Sequence, residues 1–223
     1  MDSIVYFNSE KEYSTFIQKK ICKELGSGSE GTCYLGKDGL AYKNFLDGFV
    51  NNDYVLENII TSNMCDNASF NFPHVLFAVD NKLVGYTSRL IERDLTNYNY
   101  MFFHGIDHIN FDKLISAYEV MYQNAIRLAQ DGISIFDLPY NVLFDGERLI
   151  GIDTCGYTKK PSFQCGDNPN SVDEAVKRLF IHYAKDVHGD TLDTNVDTVS
   201  FLKMVHDKYS SCSKHYVKTY FKK

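Results

Sequence analysis

Apolar residues at 111, 114, 115, 118, 121, 125 and 128 recur with a helical period. That spacing predicts one long amphipathic helix over Phe111–Gln130, with Asn110 as its cap and Gly132 as its stop. The chain before it reads differently. Ser9 and Glu12 have capping-box spacing for a short helix over 9–16, followed by strands over 17–25, 31–36 and 39–45. Gly36-Lys37-Asp38-Gly39 is the turn between the last two. A helix is predicted over 53–64, where Val55, Leu56, Ile59 and Ile60 gather on one side, and strands over 75–79 and 83–91 flank an Asp80-Asn81 turn. Beyond the long helix, Asp145-Gly146 marks a hairpin of Val142-Leu143-Phe144 with Leu149 to Ile152. Ser171 to Glu174 reads as a capping box opening another helix, and a last helical segment covers about 197–210. The first half is thus mostly strand and the second mostly helix, with the border near 92–94.

At 223 residues the chain suits one ordinary domain or two small lobes. Its 44% hydrophobic and 23% charged content supports a packed core and argues against wholesale disorder. With 29 acidic and 23 basic residues the net charge is −6, which disfavours nucleic acid as a partner. The basic, aromatic stretch Lys214–Lys223 reads as a solvated helix face. No run approaches the roughly 20 apolar residues of a membrane span, and Met1 to Tyr6 lacks the basic and apolar regions of a signal peptide. Six cysteines (22, 33, 65, 155, 165, 212) without C-x-x-C spacing read as free thiols of a reducing compartment. A cytoplasmic protein is expected, or one delivered into a host cell if it is an effector. His104, Asp107 and His108 read as a surface loop, because Gly105 interrupts them and no third clear metal ligand is near.

Four separated segments carry chemistry. Gly26-Ser27-Gly28-Ser29-Glu30-Gly31 lies between two predicted strands, and no helix follows it. That layout is unlike the dinucleotide fingerprint, whose glycines open a helix. Glycines there let backbone N–H groups close over phosphates. Lys43, on the next strand, supplies a compact charge for phosphate oxygens, and Glu57 is a candidate partner that would fix its direction. Asp137 and Asn141 precede the second hairpin and Asp153 follows it, so the hairpin should return Asn141 and Asp153 to one another. A carboxylate and an amide oxygen are hard ligands of the kind Mg²⁺ selects, and Asp137 would orient the proton of an attacking hydroxyl. Each segment alone also reads blandly: a glycine-rich hairpin, a solvent-facing lysine, turn residues around Pro139. Their order along the chain is the stronger signal.

Together these segments resemble the protein-kinase-like superfamily, over residues 17 to about 190. The resemblance implies an α+β, two-lobed fold. Its first lobe (1–92) would hold a five-stranded antiparallel sheet and one helix, and its second (93–223) would be trimmed and mainly helical. It implies ATP between the lobes, bound by Gly26, Ser27, Gly28, Ser29, Gly31, Lys43 and Glu57, with Tyr86 to Ile91 as the hinge and Ser88 and Leu90 as contacts. Asp137, Lys43 and Asn141 would be catalytic, and Asn141 and Asp153 would hold Mg²⁺. The departures are specific. The family's H-R-D-L-x-x-x-N reads Ile135-Phe136-Asp137-Leu138-Pro139-Tyr140-Asn141, with apolar residues for histidine and arginine and one residue fewer before the asparagine. D-F-G reads Asp153-Thr154-Cys155, Gly156 comes one place late, and no A-P-E follows. Without that arginine, switching by an activation-loop phosphate is not expected. The reading is an ATP- and Mg-dependent kinase whose acceptor is a protein Ser/Thr hydroxyl. The rivals are a small-molecule kinase, with Asp167, Asp173 and Glu174 as candidate pocket residues, and an inactive pseudokinase acting as nucleotide sensor or scaffold.

Overall fold

The structure is a computed structural model that describes residues 4–46 and 56–210. The chain forms two compact units, Met1–Ile91 with Asp153–Lys159, and Glu92–Ile152 with Lys160–Lys223. Asp153, expected with the helical half, therefore belongs to the sheet-bearing unit.

The first unit is built on six strands: β1 (Ile4–Phe7), β2 (Ile21–Ser27), β3 (Gly31–Gly36), β4 (Leu40–Phe45), β5 (Val75–Val79) and β6 (Lys82–Arg89). Their order is β1-β5-β6-β4-β3-β2. The expected five-stranded antiparallel sheet is corrected to a six-stranded mixed one, because β1 pairs parallel with β5 from Ile4↔Leu76 to Phe7↔Val79. Residues 17–20 are also corrected, from strand to helix. They continue α1 (Glu10–Lys20), where Tyr13 and Ile17 are buried one turn apart and Lys19 and Lys20 sit at the negative end of the helix dipole. The Ser9 cap is real: its hydroxyl accepts from the Glu12 N–H, and the Glu12 carboxylate reaches back to the Asn8 N–H.

Helix 53–64 does not form over its described part. Leu56–Asn58 is a single 3-10 turn, and Ile59, Ile60 and Thr61 are all buried in succession, which no one face of an α-helix can achieve. Ile59 instead bridges to Thr158 in β10 (Thr158–Lys159). Residues 53–55 lie outside the described residues.

The sheet's two faces bury different sets. One holds Phe7, Tyr42, Phe77, Val79 and Val84 against Tyr13 and Ile17 of α1. The other gathers Phe45, Leu56, Ile59, Leu76, Leu83, Tyr86 and Cys155. On that second face Cys33, Lys43, Tyr86 and Leu76 form one row across β3, β4, β6 and β5.

The second unit comprises α2 (Tyr98–His104), α3 (Phe111–Gln130), β7 (Ile133–Ser134), the hairpin β8 (Val142–Phe144) and β9 (Leu149–Gly151), α4 (Asn168–His188) and α5 (Thr198–Tyr209). The predicted bounds of α3 and its Asn110 cap are observed. α2 replaces the loop expected around His104, capped by Asn97, whose side chain accepts from the Tyr100 N–H. α4 begins before Ser171, with Pro169 in its first turn, where a missing N–H costs nothing. The Ser171 hydroxyl bonds the Asp167 carbonyl and Glu174 pairs with Arg178, so neither makes the expected capping box.

Phe111 and Phe180 pack at a tilt, with ring centroids 5.5 Å apart, between α3 and α4. Asp173 binds α3 and α5 to α4, accepting from the Tyr118 and Thr198 hydroxyls at 2.6 Å each. Cys22, Cys33 and Cys165 are free thiols, while Cys212 lies outside the described residues. Among the described residues no helix is long and apolar enough to cross a membrane.

Candidate functional site

The site on the first unit is built around a buried lysine. Alternation along β4 turns Ala41, Lys43 and Phe45 to the face away from α1 and Tyr42 towards it. Lys43 is only 8% exposed. A lone ammonium at such depth is costly, so it must be paired. Its Nζ lies 2.5 Å from both carboxylate oxygens of Asp153 and 3.2 Å from Oε2 of Glu30. The Phe45 ring lies 5.3 Å from the same nitrogen. Burial pulls the Lys43 ammonium towards neutrality, but the Asp153 carboxylate outweighs it and holds the group above its ordinary value.

Asp153 is in turn fixed by more than Lys43. The Tyr86 hydroxyl donates to its Oδ1 at 3.1 Å, and Tyr86 stands directly opposite Lys43 in the sheet. Burial and then Asp153 raise the Tyr86 phenol far above its usual range, so it remains a donor. The Asp153 backbone is left-handed (φ 58, ψ 42) and opens the 3-10 turn Thr154–Gly156. Thr154 is buried and its hydroxyl donates to the Asn71 carbonyl, which ties that turn to the unit. Cys33, opposite Lys43, keeps its thiol proton because burial raises it.

The glycine run forms the β2–β3 turn, closed by the Gly28 N–H on the Gly31 carbonyl at 2.9 Å. Its glycines differ. A Cβ on Gly31 would stand 2.3 Å from the Asn44 carbonyl oxygen, so β3 can hug β4 there only with glycine. Gly26 has nothing within 4 Å and Gly28 only a backbone oxygen at 4.0 Å. The fold does not require glycine at either position, which leaves an open backbone surface of the kind phosphates approach. Ser27 bonds Thr32 across the turn at 2.9 Å, and Ser29 is exposed.

The remaining sequence candidates fall elsewhere. Glu57 is exposed on its 3-10 turn, and Lys43 pairs with Glu30 and Asp153 instead. The expected partner is corrected for a physical reason: without a helix over 56–64, nothing aims Glu57 at β4. Ser88 shares the Lys43 face, next to Ala41, and its hydroxyl accepts from Asn71 at 3.3 Å. Leu90 is half-buried just past β6.

Asp137 and Asn141 bracket the 3-10 turn Leu138–Tyr140 of the second unit. Asp137 is exposed and left-handed (φ 51), and its side chain caps nothing. The Asn141 amide donates to the Asp137 carbonyl at 2.8 Å, and its own carbonyl accepts from the Ile152 N–H. The loop is anchored from below by Asn168, a residue the sequence did not single out. Its buried side chain accepts from the Ile135 N–H at 2.9 Å and donates to the Ile133 carbonyl at 2.8 Å. Asn168 was missed, Tyr86 was read only as the start of the hinge, and Glu30 was given no role of its own within the glycine run. Only Glu30 left a signal, as the one charge inside the glycine run.

Among the described residues no three His, Cys, Asp or Glu side chains converge on a metal site. No family model matches the chain, and no curated protein matches it.

Proposed function

We propose that this protein is an ATP- and magnesium-dependent phosphotransferase of the protein-kinase-like class, acting on Ser/Thr hydroxyls of protein. One observation carries the reading: Lys43, buried on a strand beside a glycine turn, holds Asp153 by both oxygens. A buried, held ammonium next to a glycine backbone that no side chain obstructs supplies part of what phosphate binding needs, a positioned cation and an approachable main chain. Bound magnesium would offset phosphate charge and fix the γ-phosphoryl group for in-line transfer. Lys43 would draw charge from the phosphate oxygens, and Tyr86 would keep Asp153 oriented. Asp137 would take the acceptor proton and Asn141 would be a metal ligand. Those two roles come from the resemblance and are tested by substitution.

The test is thermal unfolding with and without ATP and Mg²⁺. Ligand at 100 times its Kd stabilises by about 2.7 kcal/mol, a rise of several degrees. Gly28→Ala, which meets no steric obstacle, should fold normally and lose the rise. Phosphate transfer to protein acceptors should vanish in Asp137→Ala while the rise survives. If wild type melts at the same temperature with saturating nucleotide, the phosphotransferase reading is wrong.

An inactive nucleotide sensor is the second reading, favoured by the shortened Asp137–Asn141 loop and by Glu57 standing apart from Lys43. It predicts the thermal rise without any transfer.

A further inference from the structure

Glu30 is the residue of the glycine turn that neither phosphate binding nor turn geometry asks for. Its carboxylate lies 3.2 Å from the Lys43 ammonium and its side chain is 35% exposed. The backbone fixes that placement. The Glu30 carbonyl accepts from the Leu46 N–H at 3.0 Å, and the next residue is Gly31, whose lack of a Cβ lets the start of β3 lie against Asn44. The turn is thereby pinned to the end of β4, and Glu30 hangs over the strand that carries Lys43. One ammonium then serves two carboxylates, Asp153 and Glu30, leaving a local excess of one negative charge.

We infer that Glu30 is a specificity determinant of the proposed nucleotide site: it occupies Lys43 in the absence of ligand and selects metal-loaded nucleotide against bare polyanions. The inference rests on the phosphotransferase reading. A phosphate chain arriving at Lys43 must displace Glu30 or sit beside it, and like charges brought together without a counterion repel. Metal-free ATP brings the full repulsion. An ATP whose charge is already partly offset brings much less. Asp153 cannot play this part, because Lys43 and Tyr86 hold it by three contacts, whereas Glu30 is more exposed and meets Lys43 through one oxygen at 3.2 Å.

The experiment is calorimetric titration of wild type, Glu30→Gln and Glu24→Gln with ATP in EDTA and with ATP in excess Mg²⁺. Glu24 is an exposed carboxylate on β2 of the same hairpin, so its variant controls for net charge. The expected result is about tenfold tighter binding of metal-free ATP by Glu30→Gln, a smaller gain for Mg-ATP, and no change in Glu24→Gln. Equal gains in both carboxylate variants would make the effect one of general charge and overturn the assignment. Weaker Mg-ATP binding in Glu30→Gln would make Glu30 a metal ligand and overturn it too. If wild type binds Mg-ATP and Glu30→Gln matches it in both titrations, the inference fails while the nucleotide site stands. Absence of binding in all three proteins overturns the nucleotide site and the role of Glu30 with it.

Discussion

Asp137 and Asp153 share a backbone state and differ in everything around it. Each adopts a left-handed conformation, φ 51 and φ 58, and each opens a 3-10 turn. Asp153 is held by its side chain, through Lys43 and Tyr86. The Asp137 side chain is exposed, and its loop is held through the backbone by Asn141 and, from the strand before it, by Asn168. The difference separates two ways of placing a carboxylate. One spends the charge on the fold and makes the aspartate a structural anchor; the other fixes the chain and leaves the charge available.

The largest effect should come from breaking the anchored case. Asp153→Ala leaves Lys43 buried with only the partly exposed Glu30 as counterion. Removing one partner of a buried pair is strongly destabilising, and since the Asp153 side chain is 23% exposed we expect about 3 kcal/mol. Urea unfolding measures it. A loss below about 1 kcal/mol, the range of a surface ion pair, would mean that Asp153 is not an anchor and the comparison collapses.

Next comes the support beneath Asp137. Asn168→Ala strands the Ile135 N–H and the Ile133 carbonyl in the core, costing about 2 kcal/mol. Asn168→Asp tests the chemistry more finely. A carboxylate can still accept from Ile135 but cannot donate to Ile133 at neutral pH, so it should recover only part of the loss. Full recovery would show that the donor half of the bond carries no weight.

Tyr86 sharpens the comparison through pH. Its pKa is raised from an ordinary 10.0 by burial and by Asp153. The folded state therefore holds the proton more tightly than the unfolded state. The resulting stability is complete below pH 10 and declines as pH climbs from there towards the folded value. Tyr86→Phe has no such proton to lose. It should be about 1 kcal/mol less stable than wild type at pH 7, for the lost hydrogen bond, and lose about 1 kcal/mol less than wild type between pH 10 and 11. The two denaturation curves should converge at alkaline pH; parallel curves would refute the raised Tyr86 phenol.

How far the sequence carried this picture depends on where the information lies. α3 was legible to its ends, because twenty residues of helical period, a cap and a glycine stop all agree. β1 was not, because four residues carry little pattern and its parallel pairing with β5 is a non-local choice. The apolar run around Ile59 and Ile60 looks helical until burial shows neighbours going inward together. The site divides in the same way. Lys43 and the glycines were readable because order and spacing are sequence properties. The Lys43–Asp153 clasp spans distant segments, and its use of Glu30 in place of Glu57 depends on a helix that local propensity wrongly supplies. Asn168 was invisible for a plainer reason: nothing in a sequence distinguishes a clamping asparagine from a turn asparagine.

The smallest expected effect is the most discriminating. Left-handed backbone costs a non-glycine residue about 1 kcal/mol, and aspartate tolerates it better than most because its short side chain can bond locally. Asp137 makes no capping bond, so replacing it by glycine removes strain and sacrifices no contact that the fold uses. Glycine also loosens the unfolded chain, which offsets part of the gain. Asp137→Gly should therefore raise stability by about 0.5 kcal/mol, and under the proposed function it should abolish phosphate transfer. Asp153→Gly relieves the same backbone yet should be destabilised almost as much as Asp153→Ala, because the anchor is lost. Opposite signs at two positions of equal backbone strain would assign the difference to the side chains alone. If Asp137→Gly instead costs more than about 1 kcal/mol, the Asp137 carboxylate is serving the fold, and its assignment to chemistry loses its physical basis.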